Sequence, residues 1–180
     1  MAEGGPRRNS AARASSLKLE VDVVRHAEAW RGAIGDAIVK QAARAAFLIA
    51  PPTAHGTYEV TVLLTDDAEI RDLNRAWRRK DTPTNVLAFP ARDDPAMPGL
   101  LGDVVLAYET VSDEARNTGV AFDHHVSHLV IHGLLHLLGF DHISDDEAER
   151  MEALEGAALA KLGIADPYAE QEATPAEVSL

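Results

Sequence analysis

The 180-residue sequence contains no cysteine. Without thiols it can form no disulfide framework, thiol nucleophile or cysteine-ligated zinc or iron–sulfur site. Apolar runs of the ~18–20 residues that a membrane span needs are also missing. The first 16 residues lack the apolar segment of a secretory signal. These absences predict a cytoplasmic protein with no membrane partner.

Positive charge is scarce, since 17 Lys and Arg oppose 29 Asp and Glu, for a net charge of −12. As a bulk value this argues against nucleic-acid binding, because phosphates are held by Lys and Arg. The distribution is uneven, however: residues 71–80 contain five bases and one acid, whereas residues 141–180 contain two bases and eleven acids. An acidic body with one basic island predicts weak, salt-sensitive nucleic-acid binding confined to that island, and no DNA partner is expected.

The hydrophobic fraction of 46% is sufficient for a packed core. We expect one domain over residues 17–168, between a disordered N-terminal extension (1–16) and a disordered C-terminal tail (169–180). Periodicity and turn signals predict strands over 17–24, 58–64, 84–89 and 102–108, and helices over 28–49, 67–77, 112–117, 122–138 and 144–162. This order predicts an α+β fold, with a small, mostly parallel four-stranded sheet packed with about five helices.

The strongest chemical signal is the segment HGLLHLLGFDH at residues 132–142. His132 and His136 lie four residues apart on a predicted helix, which places their side chains on one face. Gly139 ends that helix, and His142 follows the turn as a third ligand candidate. Three imidazole nitrogens leave one position of a tetrahedral zinc ion open, which is typical of a catalytic rather than a structural site.

This spacing matches that of the metzincin proteases, HExxHxxGxxH, except at one position. Gly133 stands where those enzymes carry their general-base glutamate. The pattern therefore predicts a metal-dependent hydrolase but not a standard metalloprotease. A structural role for the histidines is disfavoured, because burying each imidazole among leucines without a partner would cost ~1–3 kcal/mol.

Three segments resemble, in order, the YbeY endoribonucleases, a family of bacterial rRNA maturation factors. They are HLVIHGLLHLLGFDH at 128–142, LNRAWRRKDTPTNVLAFP at 73–90 and GDVVL at 102–106. The resemblance implies one zinc ion per chain on His132, His136 and His142, and a functional arginine at Arg78. It also implies single-stranded RNA as substrate, in processing of the small-subunit 16S rRNA 3′ end and in ribosome quality control. Ribosomal or small-subunit assembly proteins are the implied partners.

The sequence departs from the family pattern at three positions near these motifs. Arg79 replaces a common glycine, Ala88 a common serine and Phe140 a common tyrosine. None of the three is a predicted ligand, so the assignment stands.

Several residues beside the motifs are secondary candidates. Arg79 and Lys80 are candidate phosphate contacts in the basic island. His128 either donates a hydrogen bond to a metal ligand or lines the site, or it is an ordinary packed or exposed histidine. Asp141 either orients an imidazole or accepts a proton, or it caps a turn. Trp77 could stack a base, although a role as a core anchor is the favoured interpretation.

Three questions stay open at the sequence level: the mechanism, the metal and the class of protein. A zinc-activated water could attack phosphorus directly or act as base on a ribose 2′-OH, and nickel would also suit imidazole ligands. The alternatives to a ribonuclease are a zinc peptidase or amidase with its base outside the motif, and a non-catalytic ribosome-assembly factor with a structural metal.

Overall fold

The computed structural model of the chain describes residues 17–91 and 99–168. The expected disorder of 1–16 and 169–180 lies outside these residues. The elements are strands β1 (Lys18–Arg25), β2 (Thr57–Thr65), β3 (Val86–Pro90) and β4 (Leu100–Ala107), and helices α1 (Asp36–Ile49), α2 (Asp67–Arg78), α3 (Tyr108–Thr118), α4 (Phe122–Leu137) and α5 (Asp145–Lys161). The predicted α+β class is confirmed, with four strands and five α-helices in the described part of the chain.

The four strands form one sheet in the order β1-β2-β4-β3. The β1–β2 and β2–β4 pairs are parallel, and β3 runs antiparallel to β4 at the edge. Pro90 ends β3 and pairs with Gly102, and an edge strand tolerates a proline because one side of it donates no ladder hydrogen bonds. The mostly parallel sheet is therefore as predicted.

Alternating side chains divide the sheet into two faces with separate cores. On one face Val62, Leu64 and Val104 belong to the main core, to which α1, α4 and α5 also contribute buried residues. On the other face Leu87 and Val105 pack with Ile70 of α2 in a smaller core. The histidine helix α4 therefore lies on the main-core face, whereas α2, with the basic island, begins on the opposite face.

The helix predicted over 28–49 is wrong at its N-terminal end. Residues Glu28–Trp30 form a single 3₁₀ turn, and α1 begins only at Asp36. Between them the chain turns through Gly32, whose φ is +76°. This turn buries Trp30 completely, and its indole N–H donates to the Thr65 carbonyl at 2.7 Å. The tertiary hydrogen bond and the glycine turn outweigh the local helical periodicity.

Side chains cap the N-termini of α2 and α5. Asp66 accepts a hydrogen bond from the Glu69 backbone N–H at 2.8 Å at the start of α2. Ser144 and Glu147 form a capping box at the start of α5. Helix α3 begins at Tyr108, four residues earlier than predicted, directly after β4. None of the helices in residues 17–91 and 99–168 is both long and apolar enough to cross a membrane.

Candidate active site

Helix α4 approaches β4 unusually closely at Gly133. A Cβ atom built on this glycine would lie 2.5 Å from Cγ1 and 3.1 Å from Cγ2 of Val104. Glycine is thus the residue that allows the helix to lie this close to the sheet. The close packing places the histidine face of α4 beside the edge of the sheet formed by β3.

The chain reverses immediately after α4. Gly139 has a φ of +92°, its N–H donates to the His136 carbonyl, and the Phe140 N–H donates to the Leu135 carbonyl, both at 3.0 Å. These two bonds define a Schellman motif, which satisfies the last carbonyls of the helix. The reversal carries His142 back toward the helix, as the sequence predicts.

The three predicted ligand histidines converge on one point. Nε2 of His132 lies 3.1 Å from Nε2 of His136, and the ring of His142 lies 5.6 Å and 5.1 Å from theirs, between centroids. One nitrogen from each ring falls within 4.8 Å of the others. Two nitrogens on one tetrahedral zinc are ~3.4 Å apart, given Zn–N bonds of ~2.0–2.1 Å. The cluster could therefore hold a metal ion.

The hydrogen bonds of two rings fix their tautomers. Nδ1 of His136 lies 3.0 Å from the Phe140 carbonyl oxygen, and Nδ1 of His132 lies 2.7 Å from Oε1 of Glu155. A carbonyl and a carboxylate only accept, so each Nδ1 carries a proton, and the Nε2 atoms of the two rings face each other. Burial lowers the pKa of His136, and the neighbouring His132 and His142 lower it further. Two Nε2 atoms that face each other suit a shared cation.

Glu155 is a site residue that the sequence interpretation missed. It lies in α5 with 1% of its surface exposed, and its carboxylate bonds both to His132 and to Nε2 of His128 at 2.7 Å. The Tyr168 hydroxyl donates to the same carboxylate at 2.6 Å. Burial raises the pKa of Glu155, but hydrogen bonds from His128, His132 and Tyr168 outweigh it and lower the pKa to about 2. The group is therefore an anion at neutral pH.

A signal for Glu155 was present in the sequence. The buried face of α5 contains Met151, Ala158 and Leu159, and Glu155 falls on the same helical stripe. A charged residue on an otherwise apolar stripe is expected to have a buried partner. Burial also raises the pKa of Tyr168, as does its hydrogen bond to Glu155, so the phenol stays a donor.

Arg78, at the C-terminal end of α2, lines the same cavity as the three histidines. The cavity measures about 460 Å³, and β3 contributes Val86, Ala88 and Pro90 to its wall. Because α2 begins on the opposite face of the sheet, its last turn must pass the β3 edge to bring Arg78 there. The fold thus unites the two long sequence motifs in one site.

Two other arginines of the basic island, Arg71 and Arg75, form ion pairs with aspartates. Arg71 makes a two-point contact with Asp81, from Nε at 2.9 Å and Nη2 at 3.0 Å. Arg75 contacts Asp72 at 2.8 Å. The Asp81 pair raises the pKa of Arg71 and lowers that of the aspartate. These two arginines are partly neutralised.

Arg79 and Lys80 are exposed next to Arg78 but do not line the cavity. Among the residues that the structure describes, neither they nor Arg78 form an ion pair. Arg79 caps α2 in the left-handed conformation, with a φ of 58°. This backbone explains why glycine is common at the corresponding position of the resembling family.

Asp141 and His128 take different places around the histidines. Asp141 lines the cavity, and its Oδ1 accepts from the His142 backbone N–H at 2.8 Å. It lies 3.9 Å from Nδ1 of His136, which already bonds to Phe140. The turn-capping interpretation of Asp141 therefore fits the contacts. His128 bonds to Glu155 and reaches the histidine cluster only through that carboxylate.

Trp77 is not a core anchor, and that expectation is wrong. Its side chain is 69% exposed, and its ring packs at 6.0 Å, between centroids, against Phe89. The two rings line an apolar groove on the α2 side of β3, and Pro90 borders both this groove and the histidine cavity. An exposed indole beside the cavity is available for stacking.

Comparisons with known proteins agree with this architecture. The family model described as Endoribonuclease YbeY matches residues 28–163. A protein named Endoribonuclease YbeY from Erythrobacter litoralis is 46% identical over 164 residues, covering 86% of this chain and 99% of that protein. One of the same name from Paramagnetospirillum magneticum is 48% identical over 163 residues, covering 87% and 99%.

A solved structure shares the fold at lower sequence identity. The solution structure of TM1509 from Thermotoga maritima has a TM-score of 0.53 and 21% identity, and the match covers 89% of this chain and all of that one. At this identity the likeness concerns the fold alone. The residues that the family model matches include helices α1–α5, strands β2–β4 and the histidine cluster, and each of the two curated relatives matches more than four fifths of the chain. The chain therefore belongs to the YbeY endoribonuclease family.

Proposed function

We propose that the chain is a zinc-dependent endoribonuclease that cuts single-stranded RNA. The observation that carries the proposal is the shared cavity, in which Arg78 and the three converging imidazoles lie together. A cation site and a guanidinium on one cavity suit a phosphodiester, because both stabilise the negative charge on its oxygens. The names of the relatives, which are endoribonucleases, support the same class.

His132, His136 and His142 would hold the metal. Three neutral imidazoles suit zinc, and a three-residue set leaves a position open for water or substrate. A zinc ion bound there polarises phosphoryl oxygens and lowers the pKa of a coordinated water toward ~7. The chain keeps the His132 and His136 rings in place through Glu155 and the Phe140 carbonyl.

Arg78 would bind and orient the scissile phosphate. A guanidinium donates two parallel N–H bonds to phosphate oxygens and stabilises the negative charge that develops on them. Arg79 and Lys80 would contact neighbouring phosphates outside the cavity. Trp77 would stack one base beside the cavity. A base that is paired inside a duplex cannot stack in this way, which favours a single-stranded substrate.

The family resemblance extends the proposal to a cellular role. We propose that the RNA is ribosomal, in maturation of the small-subunit 16S rRNA 3′ end and in ribosome quality control. The chain would then act in the cytoplasm, with ribosomal or small-subunit assembly proteins as partners.

The packing of α4 argues against a standard metzincin peptidase, but not against a peptidase or amidase whose base lies outside the motif, which the casein assay tests. A glutamate at position 133 would have to displace Val104 from β4. The general base of the metzincin motif therefore has no room at its usual place in this fold.

The proposal is tested by incubating zinc-loaded protein with a single-stranded RNA, a perfect RNA duplex and casein. We expect cleavage of the single strand alone. His136→Ala, purified identically, reveals any contaminating ribonuclease, because it should lose zinc and activity together. Cleavage of casein would support the peptidase, and an inactive but zinc-replete wild type would support a non-catalytic assembly factor.

A further inference from the structure

We infer that Glu155 is a positioning residue for the metal centre, and that His128 and Tyr168 hold it in place. This inference rests on the proposed function only in that His132 binds a metal. The motif histidines and Arg78 all lie before residue 143, so Glu155 adds a contribution from the last helix. It gives His128 and Tyr168, which the proposed reaction does not use, a common role with Glu155.

The two oxygens of Glu155 have separate tasks. Oε1 accepts from Nδ1 of His132 at 2.7 Å. Oε2 accepts from Nε2 of His128 at 2.7 Å and from the Tyr168 hydroxyl at 2.6 Å. The second pair of bonds prevents the carboxylate from rotating away from His132. The direction of the His132 ring is thereby set from α5.

This arrangement has a direct consequence for metal binding. A carboxylate on Nδ1 keeps the proton there, leaves Nε2 free for the metal and increases the electron density at that nitrogen. Without it His132 could turn or take the other tautomer, and its Nε2 would no longer face that of His136. Loss of the charge should therefore weaken metal binding even when the fold is intact.

The contacts of His128 argue against a fourth ligand. His128 lies one turn before His132 on α4, but its Nε2 is hydrogen-bonded to Glu155. Its ring packs against the Tyr168 ring, at 5.8 Å between centroids. Its role is to fix Oε2. Tyr168 donates to that same oxygen from the segment after α5, so this segment also supports the metal site.

A purely structural role, in which Glu155 only joins α5 to α4, is the competing interpretation. The two roles differ in what they change. A structural tie affects the stability of the metal-free protein, whereas a positioning residue affects metal affinity and the ligand field. The substitution Glu155→Gln keeps the size of the side chain but removes its charge and replaces one acceptor with a donor.

The test compares zinc affinity, measured by competition with a chelating dye, and the visible spectrum of the cobalt-substituted protein. The variants are Glu155→Gln, Tyr168→Phe and His128→Asn, with Glu149→Gln as control, because Glu149 is an exposed glutamate on the same helix. Loss of such an outer partner typically costs ~10–100-fold in metal affinity. We expect that loss and altered cobalt bands in Glu155→Gln, smaller losses in the other two, and none in the control.

Wild-type affinity and an unchanged cobalt spectrum in Glu155→Gln would overturn the inference and leave the proposed function intact. A wild type that binds neither metal would overturn both. If Glu155→Gln does not fold, Tyr168→Phe decides: lower affinity supports the inference, and unchanged affinity refutes it.

Discussion

The side chain of Val104 on β4 occupies the space that a Cβ atom on Gly133 of α4 would need, with 2.5 Å between them. The sequence shows only that a protease base is missing at this position. The structure adds that no side chain fits there. The distance between α4 and the sheet, and with it the position of the histidines over β3, depends on this glycine.

The first prediction concerns this contact. Gly133→Ala should destabilise the protein by about 1–3 kcal/mol through overpacking, reduced by the better helix propensity of alanine, about 1 kcal/mol. Urea denaturation measures the change. The double variant with Val104→Ala should recover part of the loss in a double-mutant cycle. Full stability of Gly133→Ala alone would mean that α4 can move off the sheet without cost.

The second prediction separates Arg78 from the metal. Arg78→Ala should retain zinc, measured by elemental analysis, but lose activity by about 10²–10³-fold, the usual cost of removing one donor to a developing anion. Arg78→Lys should recover only part of it, because an ammonium cannot make the two-point contact. An active Arg78→Ala protein would exclude the proposed role.

The third prediction uses the left-handed backbone of Arg79. A residue with a Cβ in this conformation costs ~1–2 kcal/mol, while glycine adds up to ~1 kcal/mol of unfolded-state entropy. Arg79→Gly should therefore raise the melting temperature by ~1–4 °C. Lys80→Gly, which removes the neighbouring charge without relieving a left-handed residue, should lower it. A drop in stability for Arg79→Gly would show that the Arg79 side chain stabilises the fold by more than its left-handed backbone destabilises it.

The limits of the sequence are clear at particular residues. The turn at Gly139 and the α4 face with His132 and His136 follow from local patterns, and both are confirmed. Glu155 was missed because its histidine partners lie on α4, and local sequence patterns do not show that α5 packs against α4. The ion pair of Arg71 with Asp81 was missed for a similar reason.

The fourth prediction concerns Trp77. Its exposure means that Trp77→Ala should barely change stability, yet raise KM for single-stranded RNA, because stacking contributes ~1–3 kcal/mol per base. Trp77→Phe should retain most of the affinity. Leu48→Ala is the control, since Leu48 is similarly exposed, at 66%, but lies on α1 away from the cavity. Equal KM values for Trp77→Ala and the control would remove Trp77 from the substrate path.

The last prediction follows from the exposure of His142, which lies after α4 in a loop and packs into no core. A ligand that binds only the folded state stabilises it by ~2.7 kcal/mol at a concentration 100 times its Kd. Zinc should therefore raise the melting temperature of the wild type, and chelation should reverse this. His142→Ala should melt like the metal-free wild type and respond weakly to zinc, whereas the exposed His124→Ala should respond fully. If His142→Ala kept the full zinc response, His142 would not be a metal ligand. The third ligand would then have to come from another residue, and the three-histidine site beside Arg78 would be wrong.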